Sequence, residues 1–202
     1  MVRRKYDHVY QVKIVLRGIE PPIWRCIQVP EDYTFWDLHV AIQDAMGWLD
    51  YHLHAFEITN RSTDRRDTIG IPDDEWEDEI HVLAGWQIPI STYFGPDNRV
   101  ANYLYDFGDS WEHTVTVEKV LARDGAVRYP VCLDGARRGP PEDCGGVPGY
   151  EQLLRILADP ANEDRESMLA WIGEPYDAEA FAPEQVRFDD PDERWKIAFQ
   201  GA

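Results

Sequence analysis

The stretch from Asn102 to His113 constrains the fold of this chain most strongly, because its pattern predicts two strands and the turn between them. Aromatic residues alternate with others at the two-residue period of a β-strand: Tyr103, Tyr105 and Phe107. Residues 108–110, Gly-Asp-Ser, follow as a turn, since Gly tolerates positive φ and Asp and Ser bond their own backbone. The returning strand then places four side chains on one face: Trp111, His113, Val115 and Val117. We therefore predict a β-hairpin over about residues 101–121.

The tip of this hairpin concentrates the polar chemistry of the chain. Five polar side chains lie close together there: Asp106, Asp109, Ser110, Glu112 and His113. His113 shares the apolar face of its strand, which favours a histidine satisfied within the core. The alternative is an acid/base group oriented by Asp106 and Asp109. The cluster indicates where a functional site would lie, but it does not identify a reaction.

The first sixty residues predict strand, strand, helix, strand. Residues 10–17 alternate as a half-buried strand, and residues 23–29 form the second strand of a hairpin. Thr34 at the N-cap with Asp37 at N3 is a variant of the capping box, and Gly47 fits the end of the helix. Residues 52–58 read as a third strand, with four side chains on one face: His52, His54, Phe56 and Ile58.

This order resembles the front half of a ubiquitin-like β-grasp and predicts an α+β fold with a mixed sheet, which the 101–121 hairpin extends. We expect a single domain over residues 1–202. Its sheet-containing core spans about 8–121, and a Gly/Pro loop with a helical C-terminal part spans about 130–202. Within the latter part, residues 130–149 are expected to be an ordered loop, and helices are predicted from Tyr150 and over Arg165–Trp171. The acidic run 72–79 predicts a solvated loop.

Charge limits the partners of the chain. The 20 basic and 38 acidic residues give a formal net charge of −18, which disfavours duplex DNA and anionic membranes. Three cysteines without a CxxC pair favour a reducing cytoplasm over a disulfide scaffold. The N-terminus shows no secretory h-region, and no apolar run reaches membrane-spanning length. We expect a cytoplasmic protein with no membrane partner.

Two sets of side chains raise the question of a metal. His52 and His54 on one strand face can ligate one ion, and Cys132 with Cys144 can complete a zinc set. Without a CxxC knuckle this pattern is unspecific, and an ordinary hydrogen-bonded histidine pair is favoured. We therefore expect no cofactor, with zinc or another divalent metal as the alternative.

Common catalytic motifs do not match. Asp106-Phe107-Gly108 agrees with the kinase metal-binding tripeptide in letters alone, since the chain has no Gly-rich phosphate loop and no His-Arg-Asp loop. Neither a Walker A motif, a G-x-G-x-x-G fingerprint nor a G-x-S-x-G elbow is present. No residue is therefore assigned as catalytic.

Several stretches together resemble the plasmid pRiA4b ORF-3-like family over about residues 8–185. They are Pro21–Arg25, Leu38-His39, Met46–Trp48, His52–His54 with Phe56, Tyr105–His113, Pro140–Gly146 and Gly149-Tyr150. The resemblance implies an association with plasmids and other mobile elements. One transposon-encoded relative carries a resolvase label, which this chain supports little: its first sixty residues contain no serine.

We predict a non-enzymatic binding or protein-interaction module for a protein partner or small ligand. The candidate surface comprises Trp24, Arg25, Trp48, His52, His54, Asp106, Asp109, Trp111, His113, Glu142, Asp143 and Cys144. One alternative is a metal-dependent hydrolase or nuclease-like enzyme that uses His52, His54, Asp106, Asp109 and His113. A second alternative is an accessory factor to a transposon recombinase. We also expect the hairpin tip to contact the Pro140–Gly146 loop, whose glycine amides and neighbouring Arg137 and Arg138 can satisfy a tip carboxylate.

Overall fold

Eight strands and four α-helices make up the part of the chain that the computed structural model describes, residues 6–72, 81–173 and 175–200. The strands are β1 His8–Leu16, β2 Trp24–Pro30, β3 His54–Asn60, β4 Arg65–Gly70, β5 Val82–Ala84, β6 Val100–Tyr105, β7 Trp111–Ala122 and β8 Val131–Ala136. The helices are α1 Phe35–Met46, α2 Gly146–Ala158, α3 Arg165–Ile172 and α4 Pro191–Gln200.

All eight strands join one sheet in the order β5-β4-β3-β6-β7-β1-β2-β8. Neighbours are antiparallel except β4 and β5, so the sheet is mixed, as the α+β prediction requires. Strand, strand, helix, strand is the observed order of the first four elements. However, the β6–β7 hairpin lies between β1 and β3, pairing with both. The β-grasp-like description of this start is therefore not confirmed.

Helix α1 begins and ends where its local sequence dictates. The Thr34 hydroxyl accepts a hydrogen bond from the Asp37 N–H at 3.2 Å, and Asp37 Oδ2 accepts from the Thr34 N–H at 2.9 Å. Gly47 ends the helix with φ 84, a left-handed conformation that costs glycine little. The predicted capping box and stop are confirmed.

The core lies on the face of the sheet that α1 covers. The predicted hairpin forms, and its four predicted inward side chains are buried: Trp111, His113, Val115 and Val117. Phe107 does not continue the face of Tyr103 and Tyr105, because β6 ends at Tyr105 and Phe107 is 53% exposed. The outer face of the sheet carries alternating side chains that remain accessible.

Three other sequence predictions differ from the structure in the type or the bounds of an element. β3 begins at His54, so His52 lies in the preceding loop. Val131–Ala136, expected as loop, pairs with β2 as the last strand of the sheet. α2 begins at Gly146, ahead of the predicted Tyr150, whereas α3 matches its prediction closely.

Two further segments complete the description. The acidic run 72–79 lies outside the described residues but for Pro72. Residues 81–100, for which the sequence carries no clear signal, contain β5 and two short 3-10 turns. None of the described helices is both long and apolar enough to cross a membrane.

Candidate functional site

Three loops meet at one end of the sheet, and we call their meeting point the three-loop junction. They are residues 47–53 between α1 and β3, residues 106–110 between β6 and β7, and residues 139–145 before α2. The Asp106 N–H donates to the Leu53 carbonyl at 3.0 Å, and the Leu49 N–H donates to Glu142 Oε1 at 2.8 Å. These bonds tie the loops together, although they are far apart in sequence.

The hairpin tip is a tight turn closed by Asp106. Its Oδ1 accepts hydrogen bonds from the backbone N–H groups of Gly108 at 2.9 Å and Asp109 at 3.3 Å. The left-handed residues of this turn are Asp106 at φ 55 and Ser110 at φ 56, not Gly108. Both types tolerate this region when their side chains bond locally. The turn thereby leaves Asp106 Oδ2 directed toward His52.

His52, Asp106 and Asp143 form the chemical centre of the junction. His52 Nε2 lies 2.9 Å from Asp143 Oδ1 and 3.6 Å from Asp106 Oδ2. Within the described residues, these side chains are the one group of three or more whose candidate metal-ligand atoms all lie within 4.8 Å of one another. One imidazole nitrogen and two carboxylate oxygens are able to bind a divalent metal ion.

Glu142 lies beside this centre and accepts hydrogen bonds from two neighbouring elements. Its Oε1 accepts hydrogen bonds from the Leu49 N–H at 2.8 Å and the Tyr105 hydroxyl at 3.0 Å, whereas Oε2 is buried without a hydrogen-bond partner. Burial raises the pKa of Glu142 and outweighs those two bonds, which act in the opposite direction. Burial also raises the pKa of Tyr105, so its phenol stays protonated and donates.

Trp48 joins the hairpin to the 139–145 loop. Its ring stacks on Tyr105 with centroids 5.0 Å apart, and its Nε1 donates to the Pro140 carbonyl at 2.8 Å. Asp109 Oδ2 accepts from the Gly145 N–H at 3.0 Å. The expected contact between tip and loop is therefore present, and a glycine amide satisfies the carboxylate. Of the two neighbouring arginines, Arg137 donates to Glu179 and Arg138 donates to the Pro175 carbonyl.

The remaining histidines of the candidate surface lie in the core instead. His54 is buried, with its ring stacked on His39 at 3.4 Å and 8°, and burial lowers its pKa well below the usual value. His113 is also buried, and burial lowers its pKa to about 4. Neither reaches His52 and Asp106, so the five-residue hydrolase set is not assembled.

Four other residues of the candidate surface contact the surrounding fold or are buried in it, and they are not part of the centre around His52. Arg25 is buried and donates to the carbonyls of Ala45 and Ala136 at 2.7 and 3.0 Å, with Trp24 next to it in β2 under the Lys13 ammonium. Trp111 is fully buried. Burial raises the pKa of the Cys144 thiol to about 12. Neither Cys144 nor Cys132 joins the group around His52 among the described residues, so the proposed thiolate zinc set does not form.

Sequence reasoning missed a buried hydrogen-bonded chain behind the junction. Gln43 Nε2 donates to the Tyr103 hydroxyl at 2.9 Å, which is 2.8 Å from His39 Nδ1. His39 Nε2 lies 2.8 Å from Asp50 Oδ1, and Arg194 holds Asp50 Oδ2 at 3.1 Å. A carboxylate only accepts, so His39 Nε2–H donates to Asp50, and Nδ1 of the neutral ring then accepts from the Tyr103 hydroxyl. The signal was present: His39 and Gln43 are polar residues four positions apart in α1.

Two cavities adjoin the junction. A groove of about 730 Å³ follows the outer face of the sheet, lined among others by Leu53, Ala55, Leu104 and Phe107. A cavity of about 1070 Å³ lies between the 139–145 loop and the C-terminal part, lined among others by Glu142, Asp143, Trp171, Tyr176 and Phe181. The junction therefore has accessible space on two sides.

These features define the class: a one-sheet α+β protein with a histidine–carboxylate centre where three loops meet. The chain belongs to the plasmid pRiA4b ORF-3-like protein family, whose family model matches residues 8–185, so the predicted resemblance is confirmed. It is 34% identical over 196 residues to "Uncharacterized protein y4hQ" of Sinorhizobium fredii (strain NBRC 101917 / NGR234), covering 93% of this chain and 94% of that protein.

A crystal structure is similar over nearly the whole chain. It is the structure of MM3350, a protein of unknown function from Methanosarcina mazei Go1. The TM-score is 0.84 at 45% identity, with 91% of this chain and 100% of that chain covered. Fold and family are thereby established together.

Proposed function

We propose that this protein is a non-enzymatic binding module that recognises a protein partner or a small ligand at the three-loop junction. The observation that carries the proposal is exposed apolar surface around His52 and Asp106. Four large apolar side chains are 46–69% exposed there: Leu49, Tyr51, Leu53 and Phe107. They are four of the ten exposed large apolar side chains among the described residues. Clustered exposure of this kind is typical of interaction sites.

The groove beside the junction has the make-up of a recognition surface. Leu53 and Phe107 contribute apolar floor, and Arg17 and Glu112 stand at the rim as an ion pair at 2.7 Å. An apolar centre with a polar edge is the usual anatomy of protein interfaces. The rim pair is exposed, so it contributes orientation more than affinity.

A metal-dependent hydrolase is the second candidate, favoured by one observation. Asp143 belongs to the histidine–carboxylate centre and also lines the 1070 Å³ cavity, so a substrate there would face the centre. The residue set differs from the sequence prediction, because His54 and His113 are in the core and Asp109 bonds Gly145.

The biological setting is proposed from the family and the charge. The plasmid origin in the family description supports a role in mobile elements, including that of an accessory factor to a transposon recombinase. A net charge of −18 favours contact with the recombinase over contact with duplex DNA. A cytoplasmic location is proposed from the reduced state expected of three unpaired cysteines.

A displayed-peptide selection and a fragment screen by ligand-observed NMR test the binding proposal. Selected peptides or fragments are then titrated against Phe107→Asp and against Val120→Asp. The control is matched, because Val120 is 50% exposed and Phe107 53%, and Val120 lies near the other end of β7, roughly 30 Å away. Phe107→Asp should weaken binding about tenfold, the loss expected for about 1.4 kcal/mol.

Two results would contradict the proposal. The first is ligands that bind Phe107→Asp as well as the unchanged protein. The second is turnover of phosphoester or peptide substrates that requires Asp143, which would favour the hydrolase instead.

A further inference from the structure

We infer that His52 Nε2, Asp106 Oδ2 and Asp143 Oδ1 form a binding site for a divalent transition-metal ion such as Zn²⁺ or Mn²⁺. The inference rests on their geometry and does not depend on the proposed binding function. It differs from both sets predicted from the sequence, which were His52 with His54 and the cysteines, and His52 with His54, Asp106, Asp109 and His113; Asp143 was in neither.

The spacing of the three atoms fits one ion. Ligand atoms about 2.1 Å from a metal are separated by about 3.0 Å at octahedral angles and about 3.4 Å at tetrahedral angles. His52 Nε2 lies 2.9 Å from the Asp143 oxygen and 3.6 Å from the Asp106 oxygen. The third pair is within 4.8 Å. The first two separations are close to those of ligands that share one ion.

Their hydrogen bonding points to a ligand as well. His52 Nε2 is buried and makes no hydrogen bond, although the Asp143 oxygen lies 2.9 Å away. Such an arrangement suits atoms that converge on a common ion rather than on each other.

Asp106 is an independent second observation. Its side chain is only 9% exposed, and Oδ1 is held by the N–H groups of Gly108 and Asp109. Oδ2 faces His52 Nε2 at 3.6 Å, beyond hydrogen-bond distance. A carboxylate in a side chain this little exposed is partly desolvated, so a nearby positive charge stabilises it. A bound cation supplies that charge.

The ligand chemistry decides the class of ion. Ca²⁺ and Mg²⁺ prefer all-oxygen sites, whereas an imidazole with two carboxylates suits first-row transition metals. No thiolate is in the group, which removes the preference for soft ions. Three protein ligands leave coordination positions for water or for a ligand in the adjoining cavity.

Titration of chelator-treated, untagged protein tests the site. ZnCl₂ and MnCl₂ are followed by isothermal calorimetry and native mass spectrometry, with CaCl₂ as a comparison. Histidine ¹⁵N NMR monitors the Nε2 resonance of His52. We expect one Zn²⁺ per chain, a shift of that resonance, and weaker binding of Ca²⁺.

Variants locate the ion. His52→Ala and Asp143→Asn should each weaken Zn²⁺ binding by at least about tenfold. Loss of a residue that only hydrogen-bonds to a metal ligand already lowers metal affinity by about 10- to 100-fold. His81→Ala and Asp97→Asn, both exposed, should bind as the unchanged protein does. Asp143 is 64% exposed, so its variant should keep the thermal stability of the parent. Absence of stoichiometric Zn²⁺ binding, or binding that survives His52→Ala and Asp143→Asn, overturns the inference.

Discussion

The Asp109 carboxylate accepts a hydrogen bond from the backbone N–H of Gly145 at 3.0 Å. Asp109 lies at the tip of the β6–β7 hairpin, and Gly145 precedes the first turn of α2. A carboxylate at this position also faces the positive end of the helix. One bond thus joins the two most distinctive motifs of the sequence immediately before the start of α2.

Asp109→Ala should lower the free energy of unfolding by about 1–3 kcal/mol, because the Gly145 N–H loses its acceptor. Since Gly145 is exposed and water can replace the carboxylate, the lower end of this range is expected. Chemical denaturation at neutral pH measures the change. Asp109→Asn keeps an acceptor oxygen and should retain most of the stability. Equal stability of the alanine variant and the parent would show that this bond contributes nothing to folding.

Gly146→Ala should destabilise the same contact from the helix side. Gly146 has φ 66, which disfavours any residue with a Cβ atom. A Cβ atom here would also lie only 2.4 Å from the Asp109 carbonyl oxygen. We expect a loss of about 1–3 kcal/mol in the free energy of unfolding. Gly125→Ala is the matched control, since a Cβ there meets nothing within 4 Å. A similar effect of both substitutions would contradict the close approach.

His113 should make stability depend on pH. Its folded pKa of about 4 lies below the value of 6.5 for an unperturbed imidazole. Between these values the unfolded chain binds a proton that the folded chain does not, so stability decreases as pH falls from about 6.5 to about 4. The difference corresponds to about 3 kcal/mol.

His113→Gln tests this dependence, because it removes the titrating ring. Denaturation is measured at pH 7 and pH 4, and the loss of stability between them should be smaller in the variant by about 3 kcal/mol. The absolute stability of the variant does not enter the comparison. His81→Gln, at an exposed position, should lose stability as the parent does. An unchanged pH dependence in His113→Gln would show that the ring is not buried in its neutral form.

Duplex DNA should not bind at moderate salt. With 38 acidic and 20 basic residues, few phosphates can be neutralised and few counterions released. Fluorescence anisotropy with labelled duplexes measures this at several salt concentrations. Micromolar affinity that falls steeply with salt would reveal a local basic surface that the net charge conceals.

Part of the candidate site was predictable and part was not. The sequence indicated His52, Asp106, Asp109, Glu142 and Asp143 as surface candidates, and the structure brings all five to the junction. It also indicated His54 and His113, which lie in the core. Alternation assigns a residue to one face of a strand, but not whether a helix covers that face.

Strand β8 likewise shows what the local sequence predicts and what it does not. Residues 130–149 are rich in Gly and Pro, which locally predicts a loop. Val131–Ala136 becomes a strand because β2 offers an unpaired edge, to which its backbone groups bond. That edge is contributed by residues more than a hundred positions away, so no local pattern contains it.

The sequence by itself determined the features that depend on neighbours within a few positions: the capping box of Thr34 and Asp37, the stop at Gly47, and the two strands of the hairpin. Their energies come from bonds and periodicities within one element. Only the tertiary structure decided the strand order, the burial of His54 and His113, and the meeting of His52, Asp106 and Asp143. These depend on contacts between distant segments, which form only when packing of the whole core offsets the entropy of closing the chain.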